Sequence, residues 1–363
     1  MSLRTIAKKV IPITFVHWLR ERGADFDKHF IRIFASSRLT SALYYLLFSR
    51  EFGREQQSVL RGRIAYWRSL KAIEATCALL RRNTHRLEKG LIMKPRRASF
   101  AADYIAETVN CFRDAANAKS IDPSELQWAH DVLDEYFSVV KDTPKIAKAR
   151  ATWLDLHASL DVAMTRTNSV PYPYRELPES TVSAEQLQLL FQKRRSVRWY
   201  QPEKVPTEVI HKAFEMATLA PSACNRQPYE FYVVQDPKRA AKIANMAGGT
   251  VGFAEQITNL IVVVGDLKAY PMERDRHCIY IDGSLAAMQL MLAFETMQIA
   301  TCPINWPDIE FRERLLAQEL NLTAHQRPVM LLAFGYADPD GGIPYSAKKS
   351  SNILGRFIDH DHV

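Results

Sequence analysis

The nine residues Ala220-Pro221-Ser222-Ala223-Cys224-Asn225-Arg226-Gln227-Pro228 connect a predicted helix at 205–219 to a predicted strand at 230–234. Their small and amide side chains suit a backbone that packs flat against a planar ligand. An earlier cluster, Arg194-Arg195-Ser196-Val197-Arg198, follows a predicted helix that opens at Ser183. Guanidinium groups offer forked donors that match phosphate oxygens, so this cluster indicates a phosphate site. Taken alone, it would equally well complement the dipole of a helix C-terminus.

Two further runs of β-branched and aromatic residues, at 260–264 and 329–334, predict buried strands. Between them, residues 284–299 form a predicted helix that is apolar nearly all round. Such a helix belongs in the core or at a subunit interface. Because strands and helices alternate without a regular βαβ rhythm, we expect an α+β fold with a sheet flanked by helices.

The first half of the chain has a different character. Only 4 of the 13 glycines precede residue 180, and apolar residues recur there at helical spacing. Asp122 and Pro123, with Glu125 at the third position, indicate a capping box that starts a helix. We therefore predict a helical N-terminal domain at 1–170, a proline-rich linker at 171–182, a second domain at 183–355 and a tail at 356–363.

Charge is distributed unevenly along the 363 residues. The net charge is +8, but the first hundred residues hold 21 Lys and Arg against 7 Asp and Glu. Such a basic segment can attract phosphates, an anionic membrane surface or an acidic partner, although a solvated helical face is the simpler interpretation. Aromatic residues are not interleaved with the basic ones as in single-strand binding platforms, so no nucleic acid is expected.

The cysteine pattern and the hydropathy favour a cytoplasmic protein. Its five cysteines are far apart in sequence and form no CxxC pair. The apolar run near the start, residues 10–19, is too short to span a membrane. Peripheral association through the basic N-terminal region is an alternative. We expect no metal site, and interpret His360-Asp361-His362 as a frayed tail.

The arginine cluster, the segment 220–228 and two later segments occur in an order that resembles the FMN-dependent nitroreductase family. The later segments are Ala300-Thr301-Cys302-Pro303-Ile304-Asn305 and Lys348-Lys349. The resemblance covers residues 187 to about 350. It implies a nitroreductase-like sheet, bound FMN, NAD(P)H as reductant, and a homodimer in which each flavin contacts both chains.

The resemblance also implies a role for each segment. Arg194, Arg195, Ser196 and Lys348 are similar to the ligands of the FMN phosphate and ribityl chain, and Arg198 to the cation beside the pyrimidine ring. The segment that resembles the part reaching the partner's flavin consists of Pro221, Ser222, Ala223 and Asn225. The segment that resembles the strand covering one flavin face consists of Pro303, Ile304 and Asn305.

Several positions depart from the family pattern or bear on the substrate. Ser350 stands where the family commonly has an arginine, and Thr250 is the nearest candidate for a polar ligand before the second strand. Arg274 and Arg276 lie where the family has its substrate lid, and would suit an anionic substrate. No catalytic side chain is expected, because flavin chemistry requires none.

The resemblance implies an oxidoreductase that transfers hydride from NAD(P)H to a small acceptor by a ping-pong mechanism. Two alternatives stay open. One is a flavin-binding or regulatory protein whose covered flavin does not turn over. The other is a module that binds polyanions or a membrane surface and keeps a vestigial flavin site.

Overall fold

A computed structural model describes residues 31–118, 120–159 and 167–358. The predicted tail residues His360, Asp361 and His362 lie outside the described residues. The chain divides into two compact units, Met1–Gln57 and Ser58–Val363. In the first unit, helix α1 (Arg38–Leu47) begins with a capping box between Ser37 and Thr40.

The helical part of the second unit confirms the predicted helical character of the first half of the chain. Leu80, Leu87, Phe112, Leu133 and Trp153 are almost fully buried in a core shared by its helices. Helix α2 (Gly53–Ser69) begins just before this unit does. The other helices are α3 (Ala78–Leu91), α4 (Ile105–Asn117), α5 (Pro123–Val139) and α6 (Pro144–Ser159).

The start of α5 confirms the predicted cap and corrects the predicted capping box. The Asp122 side chain accepts hydrogen bonds from the backbone N–H groups of Ser124 and Glu125, and Pro123 occupies the first turn. The Glu125 carboxylate does not return to the cap. It accepts instead from Thr76 and from the backbone N–H of Cys77, because this carboxylate is buried and these donors face it.

The remaining elements confirm the predicted α+β class. The three predicted strands are present, and Ser183 caps the predicted helix with a full capping box to Gln186. The helices are α7 (Ala184–Lys193), α8 (Thr207–Ala217), α9 (Pro237–Ala247), α10 (Cys278–Thr296), α11 (Glu310–Leu320) and α12 (Ser351–Leu354). The strands are β1 (Tyr229–Val234), β2 (Asn259–Asp266), β3 (Ala300–Asn305) and β4 (Gln326–Gly335).

The four strands form an antiparallel sheet in the order β1-β2-β4-β3. Every residue of β2 is buried, and α8 and α10 pack on one face while α9 and α11 lie on the other. This order leaves β1 and β3 at opposite edges. The two edges matter because each adjoins a segment that the sequence assigns to the cofactor.

Within a single chain, helix α10 is buried on one side only, so burial of residues 284–299 is confirmed for the inner face, and a subunit interface on the outer face stays a prediction. Ile281, Leu285 and Met288 are exposed on one face, while Ala286, Ala287 and Leu290 face the core. The stretch Glu273–Thr296 has the length and hydropathy of a membrane span, but half of it is buried in the protein. A core helix has the same composition, so this stretch is weak support for a membrane span.

The predicted linker and domain boundaries stay a prediction. Residues 167–182 are mostly exposed and contain one turn of 3-10 helix, Tyr174–Glu176. The helices α3–α6 and the sheet belong to the same compact unit, and this unit begins at Ser58. Within it, Gly62 of α2 approaches Leu267 so closely that a Cβ atom at position 62 would lie 2.6 Å from the Leu267 Cβ.

Candidate functional site

The arginine cluster lies against the edge strand β3. Ser196 and Thr301 form a parallel β-bridge, and the Val197 N–H donates to the Thr301 carbonyl at 3.0 Å. This bridge brings together two segments that are about a hundred residues apart in sequence. It places Arg194–Arg198 beside Ala300–Asn305, as the two predicted cofactor segments require.

Strand β3 alternates between the core and the surface. Cys302 and Ile304 are buried, and Pro303 and Asn305 are exposed on the outer face. Proline has no backbone N–H to donate, and it is tolerated at position 303 because β3 is an edge strand. Burial raises the pKa of the Cys302 thiol, so this cysteine is a small core residue and a poor nucleophile.

Arg195 and Arg198 already have intramolecular partners. Arg195 Nη2 donates to the carbonyl oxygens of Pro344 and Tyr345 at 2.7 and 2.6 Å, which fastens the C-terminal segment to the cluster. Arg198 Nη1 donates to the Ser196 carbonyl, and its guanidinium lies 5.5 Å from the centre of the Phe253 ring. Arg195 therefore anchors the segment that carries Lys348.

Two cationic side chains and one hydroxyl of the predicted set make no hydrogen bond or ion pair within the described part of the chain. Among the described residues, no hydrogen-bond or ion-pair partner is found for the side chains of Arg194, Ser196 or Lys348. Arg194 and Ser196 are half-buried, and Lys348 is exposed. Arg194 and Ser196 are two residues apart, and Lys348 belongs to the segment that Arg195 holds; two positive charges and a hydroxyl are donors that suit an oxyanion such as a phosphate.

The segment Pro221–Gln227 has an unusual backbone. Cys224, Asn225 and Gln227 adopt left-handed conformations, with φ of 55°, 51° and 49°. Each such non-glycine residue costs of order 1–3 kcal/mol, and this kind of strain is concentrated at functional sites. The Ser222 hydroxyl accepts from the Gln227 N–H at 3.1 Å and closes the loop.

A buried carboxylate, which the sequence analysis missed, fixes this loop. Asp282 of α10 accepts from the Ala223 N–H at 2.9 Å and from the Tyr270 hydroxyl at 3.3 Å. Burial raises the pKa of Asp282 above its ordinary value, against the effect of these hydrogen bonds. The Arg226 guanidinium lies 4.7 Å from the centre of the Tyr270 ring. In the sequence, Asp282 could have been recognised as a single acidic residue next to the long apolar stretch 284–299.

Arg81 of α3 holds the same loop from the helical part of the unit, and it too was missed. Its Nε donates to the Asn225 carbonyl at 2.8 Å and its Nη2 to Gln227 Oε1 at 3.1 Å. Its Nη1 pairs with the buried Glu125 at 2.9 Å. The loop borders a cleft of about 860 Å³ whose lining includes Arg81 and Tyr229. A single side chain thus couples the N-terminal helices to the predicted cofactor loop.

One chain does not bring the two sets of predicted cofactor residues together. Pro221, Ser222, Ala223 and Asn225 precede β1 at one edge of the sheet, while Arg194–Arg198 and Pro303–Asn305 lie at the other edge. With two strands between them and a strand spacing of 4.7–4.9 Å, these edges are about 14 Å apart. The two sets therefore belong to different neighbourhoods of the chain.

The predicted substrate residues lie in a turn before α10. Arg274 is 72% exposed and pairs with Asp275, and Arg276 donates to the Glu273 carbonyl. Arg63 of α2 holds the turn through the Pro271 carbonyl and the Glu273 carboxylate. Thr250, by contrast, is buried and its hydroxyl donates to the Ala244 carbonyl, so it faces away from any ligand.

Fold and site together define an α+β domain with a four-stranded antiparallel sheet and a basic cluster on one edge strand. The profile of the "Nitroreductase family" matches residues 191–261 and 245–336. Residues 191–336 therefore form a nitroreductase-family domain in the C-terminal half of the chain, and the relatives of this domain are oxidoreductases.

Individual relatives agree with this assignment. "Putative NAD(P)H nitroreductase YdgI" of Bacillus subtilis is 29% identical over 42% of this chain and 88% of its own length. Human iodotyrosine deiodinase 1 is 25% identical over 61% of this chain and 91% of its own length.

Solved structures also match. An FMN-dependent nitroreductase from Clostridium difficile has 22% identity and a TM-score of 0.38, over 43% of this chain and 91% of its own. B. megaterium NfrA2 has 20% identity and a TM-score of 0.42, over 48% and 75%, respectively.

Proposed function

We propose that the protein is an FMN-dependent oxidoreductase that transfers hydride from NAD(P)H to a small acceptor by a ping-pong mechanism. The observation that carries the proposal is the bridge between Ser196 and Thr301, which joins the arginine cluster to the exposed face of β3. FMN, when bound, supplies the chemistry by accepting hydride from one substrate and passing it to the next.

The residues of the chain bind and orient the cofactor in this proposal. Arg194, Ser196 and Lys348 would hold the phosphate, because their donors have no hydrogen-bond partner among residues 31–118, 120–159 and 167–358. Arg195 would keep Lys348 near the phosphate through its bonds to the C-terminal segment. Arg198 would stabilise negative charge beside the pyrimidine ring. The backbone of Pro303–Asn305 would cover one face of the ring system.

The proposal includes a homodimer with shared flavin sites. The separation of Asn225 from Arg194 across the sheet means that a second copy would be needed to bring both sets to one cofactor. The exposed apolar side chains of α10, Ile281, Leu285 and Met288, provide a face for such a copy. The exposed C-terminal segment adds further apolar surface at Tyr345 and Phe357.

An absorption spectrum of the purified protein tests the proposal, before and after incubation with FMN. We expect one FMN per chain, and loss of the flavin absorbance when NADH or NADPH is added without oxygen. Protein that cannot be loaded with FMN would contradict the proposal. Bound FMN that neither nucleotide reduces would favour the alternative of a covered flavin without turnover.

A second candidate activity is reductive deiodination. The match to human iodotyrosine deiodinase 1 extends over 61% of this chain, whereas the nitroreductase profile covers only residues 191–336. In such a reaction two electrons and a proton replace a C–I bond by C–H, and iodide leaves. Arg274 and Arg276 would suit the carboxylate of an amino-acid substrate.

Parallel assays distinguish the two acceptors. NAD(P)H oxidation is followed with a nitroaromatic compound and with iodotyrosine, and released iodide is measured separately. Iodide release that falls in Arg274→Ala but persists in the exposed control Arg113→Ala would support deiodination. Turnover with the nitroaromatic compound alone would exclude it.

A further inference from the structure

A cluster of two histidines and an aspartate joins α5 to α6, away from the site described above. His130 and Asp134 lie four residues apart on one face of α5, and His157 comes from α6. One ligand atom from each of the three side chains lies within 4.8 Å of the others. His130 Nε2 is 3.8 Å from Asp134 Oδ2, and His157 Nε2 is 3.9 Å from the same oxygen.

These distances do not fit a proton shared between the groups. A hydrogen bond from nitrogen to oxygen spans about 2.7–3.2 Å, and both separations are longer. A divalent metal with ligand bonds of about 2.0–2.2 Å in tetrahedral geometry places its ligand atoms about 3.4 Å apart. Small side-chain movements would bring all three atoms to such an ion.

His130 carries an unsatisfied polar atom in the protein interior. Its side chain is 1% exposed, and Nε2 has no hydrogen-bond partner among the described residues. An orphaned nitrogen in the core is costly unless it has a ligand. The two histidine rings stack with their centres 5.2 Å apart, so that His157 packs against His130.

The surrounding groups hold two of the three side chains, His130 and Asp134, in the form that a metal needs. His130 Nδ1 faces Asp131 Oδ1 at 3.3 Å, which favours the proton on Nδ1 and leaves the Nε2 lone pair free. The Trp153 indole N–H donates to Asp134 Oδ1 at 3.0 Å, which leaves Oδ2 for a metal. Such outer contacts are typical of histidine and carboxylate ligands in metal sites.

Asp131 also connects the cluster to the residues just before the predicted linker. Its other oxygen accepts from the backbone N–H groups of Thr167 and Ser169, at 3.0 and 2.9 Å. Asp134 and His157 remain 27% and 48% exposed, so solvent can reach the fourth ligand position.

We propose that His130, Asp134 and His157 bind one divalent transition-metal ion of the Zn²⁺ type, which joins α5 to α6. Nitrogen and carboxylate ligands are those that Zn²⁺ takes in proteins. This inference is independent of the proposed flavin chemistry, and it replaces the expectation from sequence that the chain has no metal site.

Zn²⁺ titration of the chelator-treated, full-length protein tests the proposal by calorimetry. The variants are Asp134→Asn, which keeps the acceptor for Trp153, and His157→Ala, whose side chain is half exposed. His85→Ala is the matched control, because His85 pairs with Glu88 on α3 and is partly exposed. Thermal melting with and without Zn²⁺ provides a second measurement.

We expect one Zn²⁺ per chain in the wild type and in His85→Ala, with a rise in melting temperature in both. Affinity should fall in Asp134→Asn and His157→Ala by at least the 10–100-fold that loss of an outer contact causes. The same affinity in all four proteins would place Zn²⁺ elsewhere and overturn the proposal. So would the absence of stoichiometric binding in the wild type.

Discussion

Arg194 differs from its two neighbours in the arginine cluster because it has no hydrogen-bond or ion-pair partner among the described residues. Arg195 and Arg198 are held by backbone carbonyls, and their positions are fixed before any ligand arrives. A phosphate at the edge of β3 would therefore gain most from Arg194, whose donors make no hydrogen bond to the described residues.

Arg194→Ala should weaken FMN binding by about 1.5–3 kcal/mol, the range for hydrogen bonds to charged groups. Fluorescence titration of the flavin-free protein measures the change. Arg113→Ala is the control, because Arg113 is an exposed arginine on α4 that pairs with Asp114. Equal affinities in Arg194→Ala and in the wild type would remove Arg194 from the site.

Sequence patterns predicted the residues whose chemistry is local and missed those that act across the fold. The arginine cluster and the segment 220–228 were predicted from neighbouring residues, but the left-handed conformations within that segment were not. Arg81 and Asp282 could not, because their partners are 144 and 59 residues away in sequence. The pairing of the Cys77 and Cys111 thiols, 3.5 Å apart in the core, was hidden for the same reason.

At the level of single elements, the cap of α5 makes a measurable contribution to stability. Hydrogen bonds from the Ser124 side chain and backbone lower the pKa of the Asp122 carboxyl. A group whose pKa is lower in the folded state stabilises the protein above its unfolded pKa, about 3.9 for Asp. That contribution is lost as the pH falls through the folded pKa.

Asp122→Ala should lower the free energy of unfolding by about 1 kcal/mol at pH 7, as loss of an N-cap does. The difference from the wild type should shrink as the pH is lowered below about 4. Urea denaturation at several pH values measures both effects. Asp114→Ala, which removes an exposed acid from α4, should change stability by less than about 0.5 kcal/mol at every pH.

Helix α10 shows why its apolar composition was only partly informative. Composition predicted that the helix lies in the core or at an interface, and in a single chain one face lies in the core while the other is exposed. The inner face packs on the sheet through Ala287 and Leu290. Which of the remaining residues face outward depends on the helix's rotation about its axis, and tertiary packing sets that rotation.

Leu285→Arg should convert the proposed dimer to a monomer, because it places a charge in the middle of the exposed stripe. Light scattering after size-exclusion chromatography measures the mass. Ile92→Arg is the control, since Ile92 is an exposed aliphatic residue of similar size that follows α3. A wild-type monomer that binds FMN tightly would contradict both the dimer and the shared site.

On the scale of the whole molecule, the compact unit that begins at Ser58 suggests where the chain can be divided. Sequence alone favours a division near Ser183, since every predicted cofactor residue lies beyond it. The structure places Arg81, the partner of Asn225 and Gln227, before that point. Removal of α3 would leave the strained loop without this support.

A chain that starts at Ser58 should fold and bind FMN like the full-length protein. A chain that starts at Ser183 should be less stable and should bind FMN more weakly, since Arg81 is absent. Thermal melting and flavin content measure both chains. Full flavin content and unchanged stability in the shorter chain would show that the N-terminal helices do not support the loop.

The separation of Arg194 and Asn225 to opposite edges of the sheet links cofactor retention to protein concentration. If each bound flavin needs side chains from two copies, dissociation of the copies and release of the cofactor are coupled by mass action. Dilution would then release flavin, and excess flavin would hold the copies together. The amount of holoprotein in a cell would depend on expression level as well as on cofactor supply.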